Sequence, residues 1–99
     1  MDASLTHEEF SKNANTKFRV QTGDSQVELD LIAVSELKVY PQQEEFSLEF
    51  RGPLNAFLDQ RVHNFTHDQM GEFELFIVPV KQDAQGFYYE VIFNRLRQQ

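Results

Sequence analysis

The sequence predicts a mainly β fold: a small antiparallel barrel or orthogonal sandwich of six to seven strands, with one short N-terminal helix. Three observations carry that expectation. From Lys17 to Asn94, apolar and polar residues alternate with a period of two, which turns one side of each strand inward. Clusters of Gly, Pro, Asn, Asp and Ser interrupt the alternation, as they do between hairpin strands. One alternating run is too long to stay straight. Val27, Leu29, Leu31, Ala33, Leu37 and Val39 share one parity. At strand rise that run would reach roughly 43 Å, while a domain of this length has a radius of gyration of about 13 Å. The run must bend near Ala33-Val34-Ser35, as strands do where an orthogonal sheet turns a corner.

The elements follow in order. Thr6-His7-Glu8-Glu9 forms a capping box, in which Thr6 accepts from the amide of Glu9 and Glu9 reaches back to Thr6. Leu5 and Phe10 stand at the positions of a hydrophobic staple, and Glu8 and Glu9 suit the positive end of the helix dipole. The helix is expected over residues 7–13. At two turns it needs docking to persist. Phe18 and Val20 then alternate with Lys17 and Arg19. Thr22-Gly23-Asp24-Ser25 places Gly where a type II′ hairpin needs it. The long Val27–Val39 run follows, then a turn over Pro41–Glu44. Phe46, Leu48 and Phe50 make a half-buried strand that Gly52-Pro53 ends. Leu54 to Leu58 is too short for a helix and reads as an apolar flap. Val62–His67 is a strand anchored by Phe65, and Gly71 closes its hairpin loop. Glu72–Val80 is a strand whose Pro79 belongs at an edge or a bulge. Lys81 to Gly86 is the last turn. Phe87, Tyr89, Val91 and Phe93 line the last strand, and residues 95–99 read as a polar, fraying tail.

Composition sets the bounds. Ninety-nine residues suit a single domain spanning 1–99. Ten phenylalanines are the main core material. Each contributes about 1.5–3 kcal/mol on full burial, against a conformational entropy cost on the order of 100–200 kcal/mol, so most of them are expected inside. The absence of cysteine excludes disulfides and zinc–thiolate centres. The first twenty residues hold no apolar run, and no segment approaches the length of a bilayer span. A cytoplasmic location is therefore expected, with no membrane partner. The net charge of −7 lacks the electrostatic footprint of a phosphate binder, so no nucleic-acid partner is expected.

A second set of apolar residues falls on the wrong parity for a sheet with one wet face. Ile32, Val34, Phe76, Val78 and Ile92 need a cover. The helix offers Leu5 and Phe10, and the flap offers Leu54, Phe57 and Leu58. Whatever these leave exposed becomes the candidate interface: Ile32, Val34, Leu54, Phe57, Leu58, Phe76, Val78 and Ile92.

Catalytic and metal signatures are weak. The four glycines are scattered at turns, so no phosphate loop is formed. His63 and His67 would lie on one strand face about 13 Å apart, too far to share a metal. Asp68 adjoins His67, but a tight site needs a third ligand, and the candidates His7, Glu8 and Glu9 belong to the helix. His67 is read instead as a hydrogen-bonding cap at a strand end. The acidic pairs Glu44-Glu45, Glu28/Asp30 and Glu72/Glu74 alternate with core residues and read as a solvated face, and Glu90 is expected to pair with Arg51 or Arg19 across strands. The Phe87-Tyr88-Tyr89 cluster has only Lys81 and Arg95 nearby and reads as core rather than as a stacking platform. No catalytic residue, metal or cofactor is expected.

Three segments taken together carry a resemblance: Phe46-Ser47-Leu48-Glu49-Phe50-Arg51-Gly52-Pro53, then His67 through Gly71 to Leu75-Phe76-Ile77-Val78-Pro79, then Tyr89-Glu90-Val91-Ile92-Phe93-Asn94. With the opening Leu5-Thr6-His7-Glu8-Glu9-Phe10, the chain resembles a family of bacterial domains of about this length and of unknown function. The likeness covers nearly the whole chain, with a departure at Arg61 and His63, where members tend to carry Gly and Tyr. The resemblance implies a bacterial or phage origin and an assembly context of the tail-collar kind, and it supplies no catalytic residues. The expected function is a non-enzymatic interaction or assembly module with a protein partner or a second copy of itself. The alternative is a barrel that binds an apolar small molecule, although a barrel of this size is usually filled by its own side chains.

Overall fold

The computed structural model describes residues 5–96. Helix α1 spans His7–Lys12, and seven strands follow: β1 (Lys17–Thr22), β2 (Ser25–Val34), β3 (Lys38–Val39), β4 (Gln43–Gly52), β5 (Arg61–His67), β6 (Gly71–Asp83) and β7 (Gly86–Leu96). They hydrogen-bond in the order β2-β1-β5-β6-β7-β4-β3, and a further β2–β4 pairing closes six of them into an antiparallel barrel, with β3 as an extra strand. The barrel interior is aromatic. Phe18, Phe50, Phe65 and Tyr89 are at most 1 % exposed, together with Leu29, Leu31, Leu48 and Ile77.

The corner in the long run is a β-bulge. Leu31 stands opposite Phe50 and Ala33 opposite Glu49, which leaves Ile32 as the extra residue. A bulge shifts the side-chain alternation by one. Ala33 therefore turns outward, and Val34, expected on the second face, packs against the same core as Leu31. After Val34 the chain leaves the barrel. Leu37 and Val39, assigned to the core by parity, are exposed, because β3 pairs only with β4.

Helix α1 begins as expected: the Thr6 side chain accepts from the Glu9 amide at 3.1 Å. It ends one residue early, with Asn13 as its C-terminal cap. Its docking site differs from the expectation. Phe10 does not cover an outer face. It is fully buried among Phe18, Phe46, Phe73 and Phe93, with ring centroids 5.5–6.4 Å away, and so plugs one end of the barrel. The physical reason is simple: a two-turn helix has one large apolar side chain to bury, and the barrel mouth offers it four aromatic neighbours.

The last hairpin is longer than its sequence pattern. β6 runs to Asp83 and β7 starts at Gly86, so the expected turn over Lys81–Gly86 shrinks to Ala84-Gln85. Lys81 to Asp83 are exposed and pair with β7 beyond the end of the apolar alternation, which is why the sequence pattern hid them. The Asp83 carboxylate builds the turn by accepting from the Gln85 amide at 2.8 Å and from the Tyr88 hydroxyl. Gly86, at φ +153°, lies against the Gly52 carbonyl, where a Cβ would collide with that oxygen. Of the expected fraying tail, Arg95 and Leu96 are instead paired with Glu44 and Gln43, and residues 97–99 lie outside the described residues. Pro79 stands beside a second bulge, at Val80, as expected for a proline in a sheet.

Candidate functional site

The flap over residues 53–60 closes the barrel mouth opposite the helix. Leu58 points inward and is 3 % exposed, so it leaves the list of interface residues. Its amide donates to the Tyr89 hydroxyl at 3.0 Å. Burial pushes the Tyr89 hydroxyl above its ordinary pKa, partly offset by that amide, and keeps it neutral at physiological pH. One residue on, the Asp59 carbonyl lies 2.8 Å from His63 Nε2. A carbonyl only accepts, so His63 carries its proton on Nε2. Its Nδ1 is buried without a partner among the described residues.

These anchors leave the other flap residues outside. Leu54 and Phe57 are exposed, Phe57 at 55 % with its ring against Phe87 at 5.1 Å. A second apolar group lies on the outer wall: Val62 of β5 stands directly opposite Phe76 of β6, and both are 49 % exposed. Val62, which was not among the sequence candidates, shares outward parity with Phe76. Ile92 is exposed on β7, while Ile32 and Val78 are half-buried and Val34 faces the core. The eight sequence candidates thus separate. Leu54, Phe57, Phe76 and Ile92 are presented outward, and nothing brings all eight into one patch.

The charged residues sort in the same way. Asp30 holds Lys17 at 2.7 Å and Arg51 at 3.4 Å. Burial pushes the Asp30 carboxyl up, but the hydrogen bonds from Lys17 and Arg51 outweigh it and hold its pKa below the usual range. The trough above this group is lined by Lys17, Glu28, Asp30, Arg51, Gly52, Pro53 and Gln85. Its lining carries two cations and two carboxylates, and both cations are held by Asp30. With Arg51 taken by Asp30 and Arg19 by Asp68, Glu90 has neither expected partner. It stands opposite Glu49 instead.

His67 caps the β5 end as expected. Its Nδ1 accepts from the amides of Gln69 and Met70, and its Nε2 lies 2.9 Å from the Thr16 hydroxyl. Among the described residues, no group of three His, Asp or Glu is placed to hold a metal ion. No described helix is long and apolar enough to cross a membrane.

A family model described as a domain of unknown function, DUF6916, matches residues 5–93. The chain belongs to this family. The match runs from the helix staple to Phe93 of β7 and so takes in the whole DUF6916 barrel except the end of its last strand. No curated protein and no solved structure matches the chain.

Proposed function

We propose that this DUF6916 chain is a non-enzymatic interaction or assembly module that presents fixed apolar side chains to a protein partner. The observation that carries this reading is the flap. Leu58 is buried inside the barrel and hydrogen-bonded to Tyr89, and His63 holds the Asp59 carbonyl. Phe57, just before these anchors, is more than half exposed. An exposed aromatic held by its neighbours loses little side-chain entropy on binding, which is how interface hot spots gain affinity. The family resemblance favours a partner within an assembly of the phage-tail or collar kind. The net charge of −7 favours protein over nucleic acid. The alternative, an apolar ligand inside the barrel, is disfavoured because Phe18, Phe50, Phe65 and Tyr89 already fill the interior.

The test is a photoreactive amino acid placed at Phe57 or Phe76, with Asp24 as an exposed control, in the cell that makes the protein. A discrete adduct from Phe57 or Phe76, absent from Asp24, is expected. Identical patterns from all three positions would overturn the reading.

A further inference from the structure

The two strand edges of the β6–β7 ribbon are guarded very differently. The β6–β7 ladder runs from Asp83↔Gly86 down to Val78↔Glu90 and stops there. Beyond it, Val91–Leu96 have β4 as their only ladder partner among the described residues. Half of this segment's backbone donors and acceptors therefore face an open edge, and such an edge is a template for an added strand. A second free edge, on the far side of β6 from Val78 to Asp83, is blunted. Pro79 removes a donor, Val80 is a bulge, and Lys81 and Asp83 add charge, the devices by which natural sheets prevent pairing. The β7 edge carries no such device. It has no proline and no bulge, its one charged residue, Arg95, is held 3.9 Å from Glu44, and Ile92 and Leu96 stand out at 58 % and 78 % exposure.

We infer that the Val91–Leu96 edge of β7 accepts an extended, basic segment of a partner protein by strand addition. The backbone edge dictates the extended form. Ile92 and Leu96, both of outward parity, call for apolar side chains at alternate positions. Charge dictates the rest. A second copy would bring another −7 against this one. Glu90 stands at the head of the open edge, and Glu72 and Glu74 are exposed on the diverging part of β6, none of them in an ion pair among the described residues. A segment alternating lysine or arginine with apolar residues meets all three conditions. This inference rests on the interaction-module reading and names the partner chemistry of one surface.

The experiment is a nuclear magnetic resonance titration of the full chain with an acetylated peptide alternating lysine and valine. Expected are shifts and slowed amide exchange confined to Val91–Leu96, with Val78–Asp83 unchanged, and weakening as salt rises. A peptide with proline in place of valine, or glutamate in place of lysine, should leave β7 unmoved. Leu96→Lys, at an exposed position, should weaken binding at least tenfold; Ile92→Lys is the second variant, should the first perturb the strand end. Shifts at Leu54 and Phe57 or at Val62 and Phe76 would overturn the edge and leave the interaction-module reading standing. Dimerisation that protects β7 without peptide would overturn the basic partner in favour of a second copy. No response to any peptide would overturn the inference, while the crosslinking at Phe57 and Phe76 reports separately on the broader reading.

Discussion

His67 sits where the helix exit, β1 and the β5–β6 turn meet, and both of its ring nitrogens are committed. Nδ1 accepts from the amides of Gln69 and Met70. The Thr16 hydroxyl gives its proton to the Asn13 carbonyl at 2.6 Å, so it must accept from His67 Nε2–H. A second ring proton would face two backbone donors. Burial lowers the His67 pKa below its ordinary value; Asp68 opposes this and Arg19 assists it. The unfolded chain then takes up the proton first as pH falls. The stability that neutral His67 contributes is fully present above the unfolded pKa of about 6.5 and is lost as pH drops from there through the lower folded value. The thermal midpoint should therefore fall between about pH 7 and pH 5, and His67→Gln should flatten that slope. Parallel slopes for the two proteins would remove His67 as the cause. The capping role was legible in the sequence because His67 stands four residues before a turn glycine. The role of His63 was not, since its partner, the Asp59 carbonyl four residues upstream, belongs to an irregular flap whose path no periodicity foretells.

At the scale of elements, α1 combines a local signal with a non-local one. The Thr6 cap was readable because its partner Glu9 is three residues away. The destination of Phe10 was not, because its neighbours come from β1, β4, β6 and β7. The two contributions can be separated. Thr6→Ala should cost about 0.5–2 kcal/mol, the usual range for a lost cap. Phe10→Ala should cost about 3–5 kcal/mol, as truncations of buried aromatics do. Urea unfolding of both variants measures the difference, and a Thr6→Ala loss as large as that of Phe10→Ala would show that the helix is not a plug. The same division explains the misread second face. Period-two reasoning assumes an unbroken ladder, and Ile32 breaks it. Along β2 the parity beyond Leu31 slipped by one, which sent Val34 to the wrong side, while Leu37 and Val39 miss the core because the chain has left the barrel.

For the whole molecule, the charge of −7 is set against few internal ion pairs. The carboxylates held by a cation among the described residues are Glu9, Asp30, Glu44 and Asp68. Glu49 and Glu90 stand directly opposite each other on β4 and β7, both half-buried and neither in an ion pair among the described residues. Like charges facing across an antiparallel pair destabilise it by roughly 0.2–1 kcal/mol. Glu49→Gln should therefore stabilise the barrel by about that amount. Glu49→Lys should do more, because it turns the repulsion into a cross-strand ion pair. Both gains should shrink as salt rises from about 0.1 M to about 1 M, since the screening length falls from about 10 Å to about 3 Å. The wild-type protein should itself gain stability over the same range as its self-repulsion is screened. The order Lys, then Gln, then wild type at low salt, converging at high salt, is the signature in urea midpoints. A Glu49→Gln variant that is less stable than wild type at low salt would mean that the Glu49 carboxylate makes a favourable contact that outweighs its repulsion from Glu90.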